Sequence, residues 1–150
     1  MKINANIVGT DALLKKFKSF GEEGERKFEQ VTKVTAEEIK EKAKQNITTV
    51  GAVDNGDLRR SVFNQMLSKL SQKIAVGEKY GAFIEFGTGG SVDIPKGWEK
   101  LAGEFRGKGI KKIDLPARPY LYPAFKEGYK QYVKDLDKEL DKLTIKFNKK

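Results

Sequence analysis

Tyr80-Gly81-Ala82-Phe83-Ile84-Glu85-Phe86-Gly87-Thr88 and Leu115-Pro116-Ala117-Arg118-Pro119-Tyr120-Leu121-Tyr122-Pro123-Ala124-Phe125 are the two stretches on which the fold turns. Both are dense in aromatic residues, glycine and proline, and neither holds a usual catalytic pair. Such residues fix backbone shape and build contact surface. Pro116 and Pro119 hold Leu115 and Arg118 in extended backbone. Pro123 then fits the first turn of a final helix, where its missing N–H costs nothing. Periodicity leaves Tyr80–Phe86 open between a third strand and one helical turn, because Phe83, Ile84 and Phe86 suit either. The first reading is that of a part that assembles.

Downstream, Phe125, Tyr129, Tyr132, Leu136, Leu140, Leu143 and Phe147 repeat at three- and four-residue steps and predict a long C-terminal helix. At 1.5 Å per residue the stripe runs ~30 Å. That is more than a small sheet covers, so its end is expected to meet a partner chain. Upstream, Leu58–Lys69 and Gln72–Gly77 read as two strands joined through Lys69-Leu70-Ser71. Residues 50–57 form a loop with Asn55-Gly56 as its turn signal. A helix is predicted over about residues 25–47, with Phe28, Ala36, Ile39, Ala43 and Ile47 on one face. A shorter helix starts at Thr10 or Asp11 and runs through Leu13, Leu14 and Phe17, with Gly21 and Gly24 interrupting it. Residues 2–8 alternate as an opening strand, with Ile3, Ala5 and Ile7 on one face.

A chain of 150 residues fits a single domain, 1–150, able to bury a core without staples. Hydrophobic residues at 38% and charged residues at 34% describe a soluble protein with a wet surface. No apolar run approaches the ~18 residues of a membrane span, so no membrane partner is expected. The first nine residues lack the apolar core of a signal peptide, which points to the cytoplasm. There is no cysteine, hence no disulfide or thiolate, and no histidine, the commonest general base. The prior for catalysis falls accordingly.

A net charge of +9 raises nucleic acid as a partner. Arg26, Arg59, Arg60, Arg106 and Arg118 are the arginines, and the other 25 of the 30 cations are lysines. Lysine serves solubility at least as often as phosphate recognition, so a solvated surface is the favoured reading. In the rival reading Lys100, Arg106, Lys108, Lys111 and Lys112 grip phosphates. These five lie in a Gly- and Lys-rich excursion at about 88–115, interrupted by the amphipathic patch Trp98-Glu99-Lys100-Leu101-Ala102. Connections of that length are functional or order on docking.

The remaining motifs have bland readings. Gly87-Thr88-Gly89-Gly90-Ser91 lacks the Gly-Lys-Ser/Thr of a phosphate loop. Asn46-Ile47-Thr48 is an accidental sequon. Asp54 and Asp57 flank a turn, where acids cap backbone amides. Glu85, between Ile84 and Phe86, is expected to be partly buried and to need a partner such as Arg59, Arg60 or Arg118. A salt bridge at a subunit contact is its expected role, with a carboxylate-dependent hydrolase as the weaker alternative. Arg118 is held in a rigid Pro-flanked frame, and Tyr120, Leu121 and Tyr122 beside it offer the contact area that interfaces favour. No catalytic residue, metal site or cofactor is expected.

Three motifs in order carry a resemblance: Asn55-Gly56-Asp57-Leu58-Arg59-Arg60-Ser61, then Tyr80 to Thr88, then Ala117-Arg118-Pro119-Tyr120-Leu121-Tyr122-Pro123-Ala124. Together they resemble the head–tail joining, or tail-completion, neck proteins of long-tailed bacteriophages. The chain departs from that pattern at Asn55, Gly81 and Tyr120, and in the length of the 88–115 excursion. The resemblance implies an α+β fold, with a small antiparallel sheet packed against a long helix in the N-terminal half and a long C-terminal helix. It also implies a non-enzymatic virion component of the neck or tail, assembled in the host cytoplasm. Its expected partners are copies of itself in a ring-like homo-oligomer (a hexamer), neighbouring neck, connector and tail proteins, and packaged DNA in the channel. The expected subunit-interface residues are Phe83, Glu85, Phe86, Arg118, Tyr120, Leu121, Tyr122, Leu140 and Leu143.

Overall fold

The computed structural model describes residues 10–52, 56–88, 96–100 and 115–148. In chain order its elements are helix α1 (Thr10–Thr49), helix α2 (Asp57–Arg60), strand β1 (Val62–Ser68), strand β2 (Ser71–Val76), helix α3 (Gly81–Phe86) and helix α4 (Leu121–Asn148). Two long helices with a small antiparallel sheet laid on α1 make this an α+β fold. The predicted opening strand at 2–8 lies outside the described residues.

The predicted break at Gly21 and Gly24 does not occur: α1 is one helix of 40 residues, about 60 Å long at 1.5 Å per residue. Each glycine costs about 1 kcal/mol against alanine in a helix, and contacts with α4 offset that cost. Phe20 meets Phe147 edge to face, with centroids 5.3 Å apart, and Lys146 Nζ lies 2.6 Å from Glu23 Oε1. Leu143 packs beside Gly24, its Cδ1 3.7 Å from where a Cβ would stand, an ordinary contact distance.

Helices α1 and α4 run antiparallel. Successive contacts step down both: Asn46 to Tyr120, Ile39 to Gly128, Thr32 to Tyr132, and Phe20 to Phe147. The closest approach is at Gly128, where any Cβ would overlap the Ile39 side chain. Because α4 ends beside Phe20, residues 10–19 of α1 continue about 15 Å past it. Leu14 and Phe17, on that projecting turn of helix, are both 65% exposed.

The two strands pair antiparallel with Phe63 opposite Ala75, Asn64 opposite Ile74 and Gln65 opposite Lys73. Lys69 and Leu70 make the turn, and Lys69 Nζ reaches Glu25 Oε1 at 3.0 Å. The hairpin therefore lies along α1 with its turn at the level of Glu25. The strand predicted from Leu58 starts at Val62 instead, because Asp57–Arg60 coil into α2. There the Arg60 and Ser61 amides bond the Gly56 and Asp57 carbonyls at 3.0 and 2.9 Å. Leu58 is buried in the core beside Val62, the same face that strand alternation would give it, but it is carried there by a helical turn.

Ile39, Ala43, Ile47, Leu58, Val62, Tyr120 and Ala124 form one buried cluster at the junction of α1, α2, β1 and the start of α4. Among the described residues, ten hydrophobic side chains are buried while fourteen large ones are exposed. Much apolar surface is thus left exposed among the described residues.

Candidate functional site

Tyr80–Phe86, open between strand and helix in the sequence, is helical from Gly81. It sits where β2 ends and α4 begins. The Glu85 side chain, 5% exposed, aims at the first turn of α4. Its Oε2 accepts the Tyr120 amide at 2.7 Å and the Leu121 amide at 2.9 Å, and its Oε1 accepts the Tyr122 amide at 2.9 Å. The first amides of a helix have no partner within it and carry a partial positive charge. Glu85 satisfies three of them with a full negative charge, acting as a cap supplied by another element. The expected partner among Arg59, Arg60 and Arg118 is therefore corrected. The helix terminus already provides both donors and field, so a buried arginine is unnecessary.

The rest of the two stretches locks the same joint. The Tyr120 hydroxyl donates to the Gly81 carbonyl at 3.2 Å, and Asn46 Nδ2 donates to the Tyr120 carbonyl at 2.9 Å. Burial, then the Glu85 charge and Tyr80, push the Tyr120 phenol above its ordinary range, so it stays protonated as a donor. A Cβ on Gly81 would stand 2.7 Å from the Tyr120 hydroxyl and 2.9 Å from Val76 Cγ1. Gly87 has φ +68°, and a Cβ there would meet the Leu115 carbonyl oxygen at 2.5 Å. No other residue type fits this position without strain. The Thr88 amide bonds the Leu115 carbonyl, and the Leu115 amide bonds Thr88 Oγ1, both at 3.0 Å. The excursion thus leaves and re-enters the body at one pinned base.

The residues expected at subunit contacts divide by burial. Glu85, Phe86, Tyr120 and Leu143 are buried within the single chain; Phe83, Leu121 and Tyr122 are half-buried; Arg118 and Leu140 are exposed. Arg118 is anchored by its amide to the Ile84 carbonyl at 2.8 Å, and its Nη1 reaches the Gly51 carbonyl at 3.2 Å. Of the residues proposed to face DNA, Lys100 is exposed, and Arg106, Lys108, Lys111 and Lys112 lie outside the described residues. Trp98 returns to the joint, its ring 5.4 Å from Tyr122 and 5.9 Å from Phe86.

Sequence reading did not single out the groove between β2 and α4. Phe125 and Tyr129 stack 6.2 Å apart on its wall and stay 43% and 55% exposed. Phe125 shares a helix face with buried Leu143, about five turns on at 3.6 residues per turn. Because α1 meets α4 through Ala124 and Gly128 at the upper end, that face is left over the gap. Only the Gly128 close approach, which periodicity does not report, could have signalled this.

The family model described as "Bacteriophage HK97-gp10, putative tail-component" matches residues 11–87, just over half of the chain. The chain belongs to the HK97-gp10-like family. The match covers α1 through α3, including Glu85, and stops at Gly87. The third motif and α4 are tied to this family region by the Glu85 cap. Membership makes the chain a structural component of a bacteriophage tail, associated with the virion. Neither the curated proteins nor the solved structures yield a match.

Chemically, the joint is a brace. The Glu85 carboxylate is buried and occupied by three amides, which does not suit a general base that must meet substrate. Among the described residues, no group of three or more acidic, His or Cys side chains could hold a metal ion. No described helix is long and apolar enough to cross a membrane.

Proposed function

We propose that the chain is a ring-forming subunit of the phage neck, joining or completing the tail where it meets the filled head. It acts by protein–protein contact and catalyses nothing. The observation that carries this reading is the exposed apolar surface on a braced frame. Phe125 and Tyr129 on α4, Phe63, Met66 and Leu67 on the hairpin, and Leu14 and Phe17 on projecting α1 are all exposed. A lone soluble chain gains nothing from such patches, whereas subunits that stack in a virion cover them. A ring of six copies, docked on neighbouring neck, connector and tail proteins, is the arrangement this reading entails.

Lysine charge supports a DNA role less well. Lys33, Lys40, Lys44, Lys69, Lys142 and Lys146 each pair with a glutamate, as on a solvated helical face. Contact with packaged DNA in the channel would rest on the excursion lysines, and would appear as DNA affinity that collapses with added salt.

The test is deletion of the gene from the phage. Heads and tails that form but fail to join, restored by supplying the protein, are the expected result. Fully infectious particles with normally attached tails, or absence of the chain from purified virions, would overturn the reading.

A further inference from the structure

We propose that the groove along the free edge of β2 receives residues 2–8 of a second copy as an added β-strand, so that each subunit donates an arm and accepts one. This rests on the reading of the chain as a self-assembling subunit. Among the described residues, β2 is paired only with β1, which leaves its other edge open. Two hollows that share Ile74 border β2 and are lined by five of its six residues. At the hairpin end the walls are Phe125, Tyr129 and Tyr132 over Thr32 and Ala36 of α1. At the other end they are Phe83, Phe86, Trp98 and Leu121, and the two parts meet at Ile74. The open edge carries one charge, Lys73, and no proline, so it lacks the devices that normally protect an edge strand.

The occupant is indicated by pattern and by reach. Lys2-Ile3-Asn4-Ala5-Asn6-Ile7-Val8 alternates polar and apolar residues, as a strand with one covered face requires. It is long enough to pair with all six residues of β2. It cannot fill the groove of its own chain. The hairpin turn stands at the level of Glu25, and about 22 Å of helix separates Glu25 from Thr10 at 1.5 Å per residue. Residues 2–9, folded straight back and fully extended, span about 26–29 Å. Their first residues would pass the turn by only about 4–7 Å, too little to pair along β2. α1 projects beyond α4, which places Thr10, where the arm begins, away from the body. Backbone hydrogen bonds to the edge would supply affinity, and Ile3, Ala5 and Ile7 would cover the aromatic wall. Head-to-tail pairing of this kind closes into a ring when the rotation between copies permits.

Two full-length variants test this by light scattering and sedimentation. Ala5→Pro breaks the arm while leaving the groove intact; Tyr129→Glu charges the groove while leaving the arm intact. Tyr129 is exposed, so the helical circular dichroism should be unchanged. Each variant alone should be monomeric where wild type assembles, with self-affinity lowered at least about tenfold. Mixed in equal amounts they should form a heterodimer and nothing larger, since one intact arm meets one intact groove. Val34→Glu, on another exposed face, should assemble as wild type does. If both variants assemble normally, the arm-in-groove contact is refuted while self-assembly stands. Loss of assembly through Phe63→Glu alone would place the contact on the outer hairpin face and equally refute it. A wild-type chain that stays monomeric refutes it too, leaving the virion test of the tail role untouched.

Discussion

Replacing Glu85 by glutamine removes a charge from a buried joint without changing its shape, and the cost can be worked from the three bonds it makes. Two of them converge on Oε2, from the Tyr120 and Leu121 amides, so the glutamine carbonyl should occupy that side. Both bonds then fall from the charge-assisted to the neutral class, a loss of about 1 kcal/mol each. The amide nitrogen must now face the Tyr122 N–H, donor against donor, where Glu85 Oε1 had accepted at 2.9 Å. A stranded buried donor costs about 1–3 kcal/mol. The sum is about 3–5 kcal/mol, a large share of the 5–15 kcal/mol typical of a domain. At roughly 2–4 °C per kcal/mol for a chain of this size, the melting midpoint should fall by about 6–20 °C. Thermal unfolding followed by far-ultraviolet circular dichroism reads this directly. Glu127→Gln, which removes an exposed carboxylate paired to Lys42, should leave the midpoint unmoved. If Glu85→Gln melts within about 2 °C of wild type, the cap does not hold α4 to α3 and the bracing argument fails.

Gly128→Ala should destabilise the fold by about 1–3 kcal/mol, because its Cβ overlaps Ile39 where α1 and α4 touch. Adding Ile39→Ala to it should recover part of the loss in a denaturant titration, and an additive double mutant would contradict the overlap. Gly87→Ala should cost at least about 1 kcal/mol through its φ of +68° and its contact with the Leu115 carbonyl; an unchanged midpoint would refute it. Hydrogen bonds from lysine hold the Glu23, Glu29, Glu37, Glu41 and Glu139 carboxyls below their ordinary value of 4.5. A lowered folded pKa adds stability that is present above 4.5 and is lost as pH falls through the lowered values, so unfolding curves should weaken below that point, and less so in high salt. Tyr120 has the opposite sense: its phenol stays protonated in the fold while the unfolded chain ionises near the ordinary 10.0, so stability should decline as pH rises past 10 and Tyr120→Phe should remove that dependence.

Much of the frame was legible because it depends on local period. The stripe from Phe125 to Phe147 and the face through Ile39, Ala43 and Ile47 both read as helix and are helix. The hairpin was legible from its two apolar runs, with the Lys69-Leu70 turn at its tip. Boundaries failed where a short-range signal met a tertiary one. Gly21 and Gly24 signal a break, yet Phe147, Lys146 and Leu143 hold the helix through them from far along the chain. Leu58 fits a strand, yet burial in the core selects a helical turn. For Glu85 the sequence showed the need for a partner and not its kind. Three amides at the head of α4 become available only once Pro116 and Pro119 have brought that helix end to α3.

The division of labour in the two aromatic stretches follows from the same geometry. Glu85 and Gly81 meet Tyr120, and Gly87 packs on Leu115 and Ala117 just before it, so the most conspicuous residues of the chain are engaged in holding the start of α4 against α3. That joint sets the width of the gap between α4 and β2, and so decides whether Phe125 and Tyr129 stand open or are covered by their own chain. A looser joint would let α4 collapse onto the hairpin and bury them, and the chain would gain a larger core at the expense of its outer contacts. If copies assemble through this groove as proposed, the brace is the condition for it, and residues buried in the brace govern the contact without touching a partner. Variants of the brace should therefore lose assembly at temperatures where they are still folded, whereas variants of the exposed groove should lose assembly with no change in melting.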